Sequence, residues 1–566
     1  MTSPTALLTF SIGPVHAFIS QARRIADVWA GSDLLSHLMG HAVAAARELG
    51  GEPVFPAVED DGTAAGIPNR VVCRIPLDRA DDAARAMERV VEEEWRRLAG
   101  EAVETLRHYG IEPHPSLWPA EGDDGPRQTD HVFQAAWSWV PEGAAYPTAA
   151  TLGADRYAAS RLFRPFTQVE QQGEKCALCG ERTALPNGDR QTVRQAWLEA
   201  ERKAEEADEK DSKRFDQRYF RFDQGRLCLV CATKRLYTRN TEGKGAYFRS
   251  FVDFDEGAQG PGTEREKAPY VALVNLDGDR MSQALAWGAG EVQGEVEDFH
   301  QALSRALNDF ARSLRLPRTG DALPDSQLNL DTLGIRSRAE KRANRPQLIY
   351  AGGDDVLVVC TPADALPVAR ALRCHYLETL RSPLEHFLDS EHLQKLTLSG
   401  AILFAHGRYP AGAMFRDVER LLKEKAKGEA ERDSLAIRLD KRGGVPVEVA
   451  FKWDRRPGTG DGPTWPDALD DLVDRIRAGT LGSGLTFNLR REEKVLIPVL
   501  ENKPGSWVPW LQDRLGRSGV SREHAEELAP KIAPFFEQRK TRALRIARFL
   551  GREVGRDGKR APEVSR

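Results

Sequence analysis

The sequence predicts an α+β protein: two ferredoxin-like units, a zinc-binding insertion between them and a helical C-terminal part. Three observations predict this. Residues 5–106 run strand, helix, two strands, helix, a ferredoxin-like opening. The same order returns from residue 270, with no residue-level repeat between the halves. Between them lie two CxxC pairs, and from residue 451 onward helical patterns are nearly all that is left. The expected divisions are 1–108, 109–264, 265–450 and 451–566, in keeping with about 150 residues per domain.

TALLTFSI (5–12) is apolar enough for a buried strand and ends at Gly13-Pro14. Val15 to about Leu49 carries apolar residues at three- and four-residue spacing, which predicts a helix closed by Gly50-Gly51. Pro53–Val58 and Arg70–Ile75 read as strands around a turn-rich stretch, and about Ala80–Leu106 as a charged amphipathic helix. Residues 110–170, rich in Pro, Gly, Trp and Tyr, show no sustained period. The charged run 199–214 reads as a solvated helix, because nothing in it forms a core face. In the second unit YVALVNL (270–276) is a strand running into Asp277-Gly278-Asp279, and a long helical stretch reaches about Leu316. QLIYA (347–351) and VLVVC (356–360) flank GGDD, and a helix covers about Ala363–Leu388. A strand over 395–405, a helix over Met414–Lys427 and a strand over 433–439 close the unit. Near the C-terminus Arg539, Arg542, Arg545 and Arg548 recur every three residues beside Leu544, Phe549 and Leu550. That basic amphipathic helix presents either a solvated face or a contact for nucleic acid or a partner subunit.

Composition narrows the class. With 41% hydrophobic and 29% charged residues, each part can bury a core, which excludes a fibrous, a mainly disordered or a small disulfide-scaffold protein. No apolar run approaches the roughly 18 residues of a membrane span, and the N-terminus lacks the basic and apolar regions of a signal peptide. A cytoplasmic location with no membrane partner is the expectation. The net charge of −4 makes no global demand for nucleic acid.

The residues that could do chemistry are few. Gly352-Gly353-Asp354-Asp355 stands between two apolar runs, where two glycines can supply the positive-φ positions of a tight hairpin and let phosphates approach the backbone. A plain hairpin turn would serve the same four letters. Two carboxylates at a hairpin tip sit poorly together without cations, and Asp277 and Asp279 end the strand expected beside it. Such a set suits Mg²⁺ or Mn²⁺, two of which are the usual apparatus of phosphoryl and nucleotidyl transfer. Asp277 is the better bridging ligand, and Asp279 could instead cap the next helix. Lys423, Lys425 and Lys427 end a helix, where they suit the dipole or reach a triphosphate. Arg336, Arg338, Lys341, Arg342 and Arg345 crowd the loop before the hairpin, lining a nucleotide or RNA approach or simply solvated. Cys176, Cys179, Cys228 and Cys231 supply the four thiolates of a closed structural Zn²⁺ site that pins the base of an insertion. Cys73, Cys360 and Cys374 read as core residues.

At these residues the chain resembles the large polymerase/cyclase subunit of type III CRISPR effector complexes, most closely the Cmr (III-B) branch. FSIGPVHAFISQARRIADVWAGSDLLS (10–36) resembles that branch's opening signature, VNLDGDRM (274–281) its DGDxMG strand end and LIYAGGDDVLVV (348–359) its GGDD hairpin. LLKEKAKGEAERDSLAI (421–437) resembles the alanine-lysine element, with Ala426-Lys427 as the match. His16 stands where the family has glutamine and Ser282 where it has glycine, and neither removes a carboxylate. The resemblance implies two palm domains, the first degenerate because Ser11-Ile12-Gly13-Pro14 holds no acid. It implies catalysis by Asp277, Asp354 and Asp355, nucleotide contacts from Gly352, Gly353, Asp279 and Lys427, and ATP as substrate for cyclic oligoadenylate. The implied partners are other Cmr subunits, a guide CRISPR RNA and target RNA. Many relatives begin with an HD nuclease domain; no His-Asp dipeptide occurs here, so single-stranded DNA cleavage is not expected. The competing reading is a scaffold that holds guide RNA and neighbouring subunits with an idle palm.

Overall fold

Strand β1 (Thr5–Gly13) is buried along nearly its whole length because both of its faces are covered. Ala6, Leu8, Phe10 and Ile12 enter the main core, while Leu7 joins Val54, Val140 and Ala149 in a small core on the opposite face. The computed structural model describes residues 4–56, 67–120, 125, 127–143, 146–163, 171–210, 226–237, 270–288, 290–316, 327–337, 345–441, 443–454, 464–482, 488–489, 503 and 505–552. The first sheet also holds β2 (Glu52–Phe55), β3 (Arg70–Pro76) and β4 (Gln134–Pro141), in the order β2-β3-β1-β4 and antiparallel throughout. Helices α1 (His16–Ser20), α2 (Ile25–Glu48) and α3 (Ala80–His108) pack on its main face. Helix α4 (Tyr146–Ser160) covers the other.

Two expectations are corrected here. The first sheet does not end by residue 108: β4 and α4 come from the aperiodic stretch 109–264, where tryptophans alternate on a half-buried strand. The expected single helix over Val15–Leu49 is two, bent at Gln21–Arg24. Asp27, at the third position of α2, reaches back to the Arg23 and Arg24 N–H groups at 2.9 and 3.1 Å and so starts a new helix there.

Helices α5 (Arg190–Lys210) and α6 (Leu229–Leu236) follow in the insertion. The second sheet is mixed. Its strands are β5 (Tyr270–Gly278), β6 (Gln347–Gly352), β7 (Asp355–Cys360), β8 (Leu398–His406), β9 (Ser434–Leu439) and β10 (Val447–Lys452). Their order is β10-β9-β8-β5-β7-β6, with only β8 and β9 parallel. Its first four strands thus lie in the order β8-β5-β7-β6, the connectivity already seen in the first sheet. The long helix expected after Asp279 is two: α7 (Met281–Ala284) and α8 (Val296–Ser313). Helices α8 and α9 (Pro362–Leu384) back one face of this sheet, and the short α10 (Ser390–Lys395) precedes β8. On the other face lies α11 (Ala411–Arg420), which continues as a π-helical run over Leu421–Glu429. That face shares one core with α1, α2 and α3, so the two sheets are packed through the opening helices.

Helix α12 (Trp465–Arg477) and helices at Trp507–Arg517, Arg522–Glu537 and Arg542–Arg552 bury their apolar sides in the core behind the second sheet. The basic helix turns Leu544, Phe549 and Leu550 inward. Most of the basic loop before the hairpin, the end of the charged run and the tail after 552 lie outside the described residues. Among the described residues no helix is long and apolar enough to cross a membrane.

Candidate active site

The hairpin β6–β7 turns on two residues, Gly353 and Asp354, between the paired Gly352 and Asp355. Only Gly353 has a positive φ, +64°, so Gly352 is an ordinary strand residue and not the second turn glycine expected. Strand β5 pairs Leu276 with Val356, and the same register sets Asp277 level with Asp355. The Gly278 N–H donates to the Asp354 carbonyl at 3.2 Å. A Cβ on Gly278 would lie 2.5 Å from Asp354 Oδ2 and 2.8 Å from the Tyr376 hydroxyl, so this position has room for glycine alone.

The structure therefore brings Asp277, Asp354 and Asp355 to one sheet edge. Burial and the Asp277 charge push the Asp354 carboxyl up to about 7. Burial, with the charges of Asp277 and Asp354, also raises Asp355 well above the usual range. The three are not gathered as a ligand set within 4.8 Å, as the cysteines are. Asp277 is held by the Lys427 ammonium, Asp355 by the Tyr350 hydroxyl, and Asp354 lies over Gly278. Beneath the turn the Tyr376 hydroxyl is fully buried and has no hydrogen-bond partner. An excess of carboxylates over one lysine, beside an orphaned donor, is a donor set that fits a hard divalent cation.

Lys427 comes from the π-helical run, and its ammonium also donates to the Gly278 carbonyl at 2.8 Å. Such widened turns recur at functional sites because they re-aim side chains. The chain then passes through three left-handed residues, Glu431, Arg432 and Asp433, with φ of 55, 63 and 41°. Asp279 holds that strained return. It is fully buried and accepts from Thr397 Oγ1 at 2.8 Å, Ser399 Oγ at 2.8 Å and the Asp433 N–H at 3.0 Å. It does not cap α7, contrary to that expectation, and its Oδ1 also lies 3.8 Å from the Lys427 ammonium. Asp279 anchors the return that follows the π-helical run carrying Lys427.

An open cleft lies between the hairpin and the opening helices. Gly352, Tyr350 and Asp355 line one wall, and His16, Ile19, Trp29 and Asp33 the other. Arg315 also lines it and donates to the Ala351 carbonyl at 3.1 Å. Sequence reading missed Tyr350, Tyr376 and Arg315. Tyr350 sits in the apolar run just before GGDD, but Arg315 and Tyr376 carry no local signal.

The four cysteines converge, with all sulfurs within 4.8 Å of one another and Cys179 Sγ 3.8 Å from Cys228 Sγ. Tetrahedral zinc with Zn–S of about 2.3 Å needs S···S of about 3.8 Å, so the set fits that ion. Hydrogen bonding from Cys176 holds the Cys179 thiol well below its usual value, and burial pushes Cys228 up. A second cluster, His37, His41 and Glu94, is a closed ion network: Arg97 already donates to both Glu94 oxygens, at 2.6 and 2.7 Å. Cys73 and Cys360 are buried as expected, whereas Cys374 is exposed.

Comparison with known proteins agrees with this geometry. Residues 270–436 match the family described as Cas10/Cmr2, second palm domain, and residues 7–100 the family CRISPR-associated protein Cmr2, N-terminal. A 190-residue stretch is 30% identical to CRISPR system Cmr subunit Cmr2 of Pyrococcus furiosus; it makes up 33% of this chain and only 20% of that relative. The apo type III-B Cmr-beta structure matches 92% of this chain and 77% of its own, at a TM-score of 0.56 and 14% identity. Cmr-beta bound to cognate target RNA matches equally, at 0.56 and 14%. A Csm1-Csm4 cassette in complex with AMPPNP covers 97% of this chain and 70% of its own, at 0.50 and 13%. These structural likenesses bear on the fold. The two family matches fall on the first sheet with its opening helices and on the hairpin sheet, so these two regions are similar to the N-terminal and second palm domains of Cas10/Cmr2 proteins.

Proposed function

We propose that this chain is the nucleotide-polymerising subunit of a cytoplasmic type III CRISPR RNA-guided complex, converting ATP to cyclic oligoadenylate when target RNA pairs with the guide. The observation that carries the reading is the carboxylate edge Asp277–Asp354–Asp355, opposed by Lys427 and meeting an open cleft through Asp355. We read both sheets as ferredoxin-like palms, on their shared strand order, the first without acids, and the C-terminal helices as a domain packed behind the second. Other Cmr subunits, guide RNA and target RNA are the partners in this reading.

Asp277, Asp354 and Asp355 would hold Mg²⁺ or Mn²⁺, which when bound supplies Lewis-acid polarisation of the α-phosphate and a more acidic 3′-hydroxyl. The residues around them have separate tasks. Lys427 exchanges its Asp277 partner for phosphate oxygens and stabilises the charge that grows on pyrophosphate. The turn at Gly353 has no atom near a Cβ position, so phosphates can reach its backbone. Arg315 offers a second cation along the cleft, and the wall from His16 to Asp33 excludes water from the nucleotide. The four cysteines would hold a structural zinc.

Titration of the purified chain with Mn²⁺ and a fluorescent ATP analogue tests this reading. Metal-dependent binding lost in Asp355→Ala supports it. Binding that ignores both metal and Asp355 leaves the scaffold reading.

A further inference from the structure

Both cysteine knuckles rest on one joint, the bend Gln21–Arg24 between α1 and α2. From the first knuckle's loop, the Ala177 carbonyl accepts from Arg23 Nη2 at 3.0 Å, and Glu181 accepts from Gln21 Nε2 at 3.3 Å. From the second, α6 carries Cys231 and, one turn later, Lys234 and Arg235. Lys234 is 1% exposed, and its ammonium donates to the Phe18 carbonyl at 2.7 Å and to the Gln21 carbonyl, at the end of α1. Arg235 donates to Asp27 through Nε at 2.9 Å and Nη2 at 2.7 Å. Asp27 is the residue whose carboxylate creates the bend. Just past α6, the Tyr237 hydroxyl donates to Asp33 at 3.1 Å.

That joint is also a wall of the cleft. Ile19 on α1 and Trp29 and Asp33 on α2 face Gly352 and Asp355. An ammonium and a guanidinium buried this deeply cannot exchange their carbonyl and carboxylate partners for water without opening the joint. We propose that Lys234 and Arg235 are positioning residues of the nucleotide cleft: they fix the α1–α2 wall against the Asp355 hairpin, and the cysteine cluster fixes where α6 presents them. The inference rests on the nucleotide reading of the cleft and names what holds its far wall.

The test uses the full zinc-loaded chain, with Lys234→Met and Arg235→Lys as variants. Three quantities are read: zinc per chain, affinity for a fluorescent ATP analogue, and hydrogen exchange over residues 16–36 and 347–360. Each variant should keep its zinc, bind the analogue about tenfold more weakly and exchange faster over 16–36 but not over 347–360. In the assembled complex KM for ATP should rise with kcat within about twofold, which a merely structural brace would not produce. Unchanged affinity and exchange in both folded variants would overturn the proposal, as would exchange that rises evenly along the chain. If the wild-type chain binds no nucleotide, the reading of the cleft fails, and the exchange over 16–36 still decides whether the joint is held as described. Arg235→Lys keeps the charge, so it answers the question even if Lys234→Met does not fold.

Discussion

Replacing Gly412 with alanine should destabilise the protein, against the usual preference for alanine in a helix. Gly412 is the second residue of α11, and its N–H donates to the Ala22 carbonyl at 2.8 Å. A Cβ there would lie 2.1 Å from the Ser20 oxygen and 2.6 Å from the Ala22 oxygen, where 3.4 Å is the shortest ordinary contact. Both are backbone atoms of the α1–α2 bend, so no side-chain rotation relieves the clash. Helix α11 must retreat by roughly an ångström, losing the hydrogen bond, about 1 kcal/mol, and paying overpacking strain of about 1–3 kcal/mol. Alanine's helical advantage of up to about 1 kcal/mol offsets part of this. The net loss of about 1–4 kcal/mol corresponds to roughly 2–16 °C in Tm for a cooperative unit of 150–250 residues. Differential scanning calorimetry of Gly412→Ala and Gly412→Ser measures it. An unchanged or raised Tm in both variants would refute the close approach of α11 to the bend.

Other outcomes follow from the same contacts. Asp27→Asn should cost about 3 kcal/mol, because burial would raise this carboxyl yet Arg235 holds it at about 2, and removing one partner strands a buried guanidinium. A depressed carboxyl contributes above its unfolded value of 3.8 and stops contributing below about 2, so in urea titrations the gap between wild type and Asp27→Asn should narrow as pH falls through that window. Elemental analysis should find one zinc per chain, falling in Cys228→Ser together with thermal stability; a metal-free, equally stable wild type would rule the site out. Asp279→Ala should unpin the Asp433 loop and weaken nucleotide binding through Lys427, and full affinity in a folded variant would contradict its anchoring role.

Most of what was legible in the sequence came from periodicity and from local motifs. The apolar runs of β1, β5, β7 and β8 announce themselves because they are covered on both faces, and the CxxC spacing announces a cluster whatever the fold between the pairs. Strand β4 was missed because its tryptophans are half-buried at an edge, where alternation is weak. The bend at Gln21–Arg24 interrupts a continuous helical pattern through a side-chain contact, Asp27 to two N–H groups, that periodicity does not register. The acidic residues of the hairpin edge lie together as expected, but their different partners were not legible. Asp277 and Asp279 are two apart on one strand end, and only the partners supplied by Thr397, Ser399 and Asp433 turn the second away from the cleft. Arg315 reaches the site from just past the end of α8 and Tyr376 from α9, so tertiary packing alone brings them there.

The central claim is that the Asp277–Asp354–Asp355 edge joins nucleotides. Mass spectrometry of the products formed from ATP by the assembled complex with complementary target RNA tests it most directly, comparing wild type with Asp354→Ala/Asp355→Ala. The account expects cyclic oligoadenylate from the wild type and none from the double variant, with the complex intact in both. Oligoadenylate made at the wild-type rate by the double variant would contradict it.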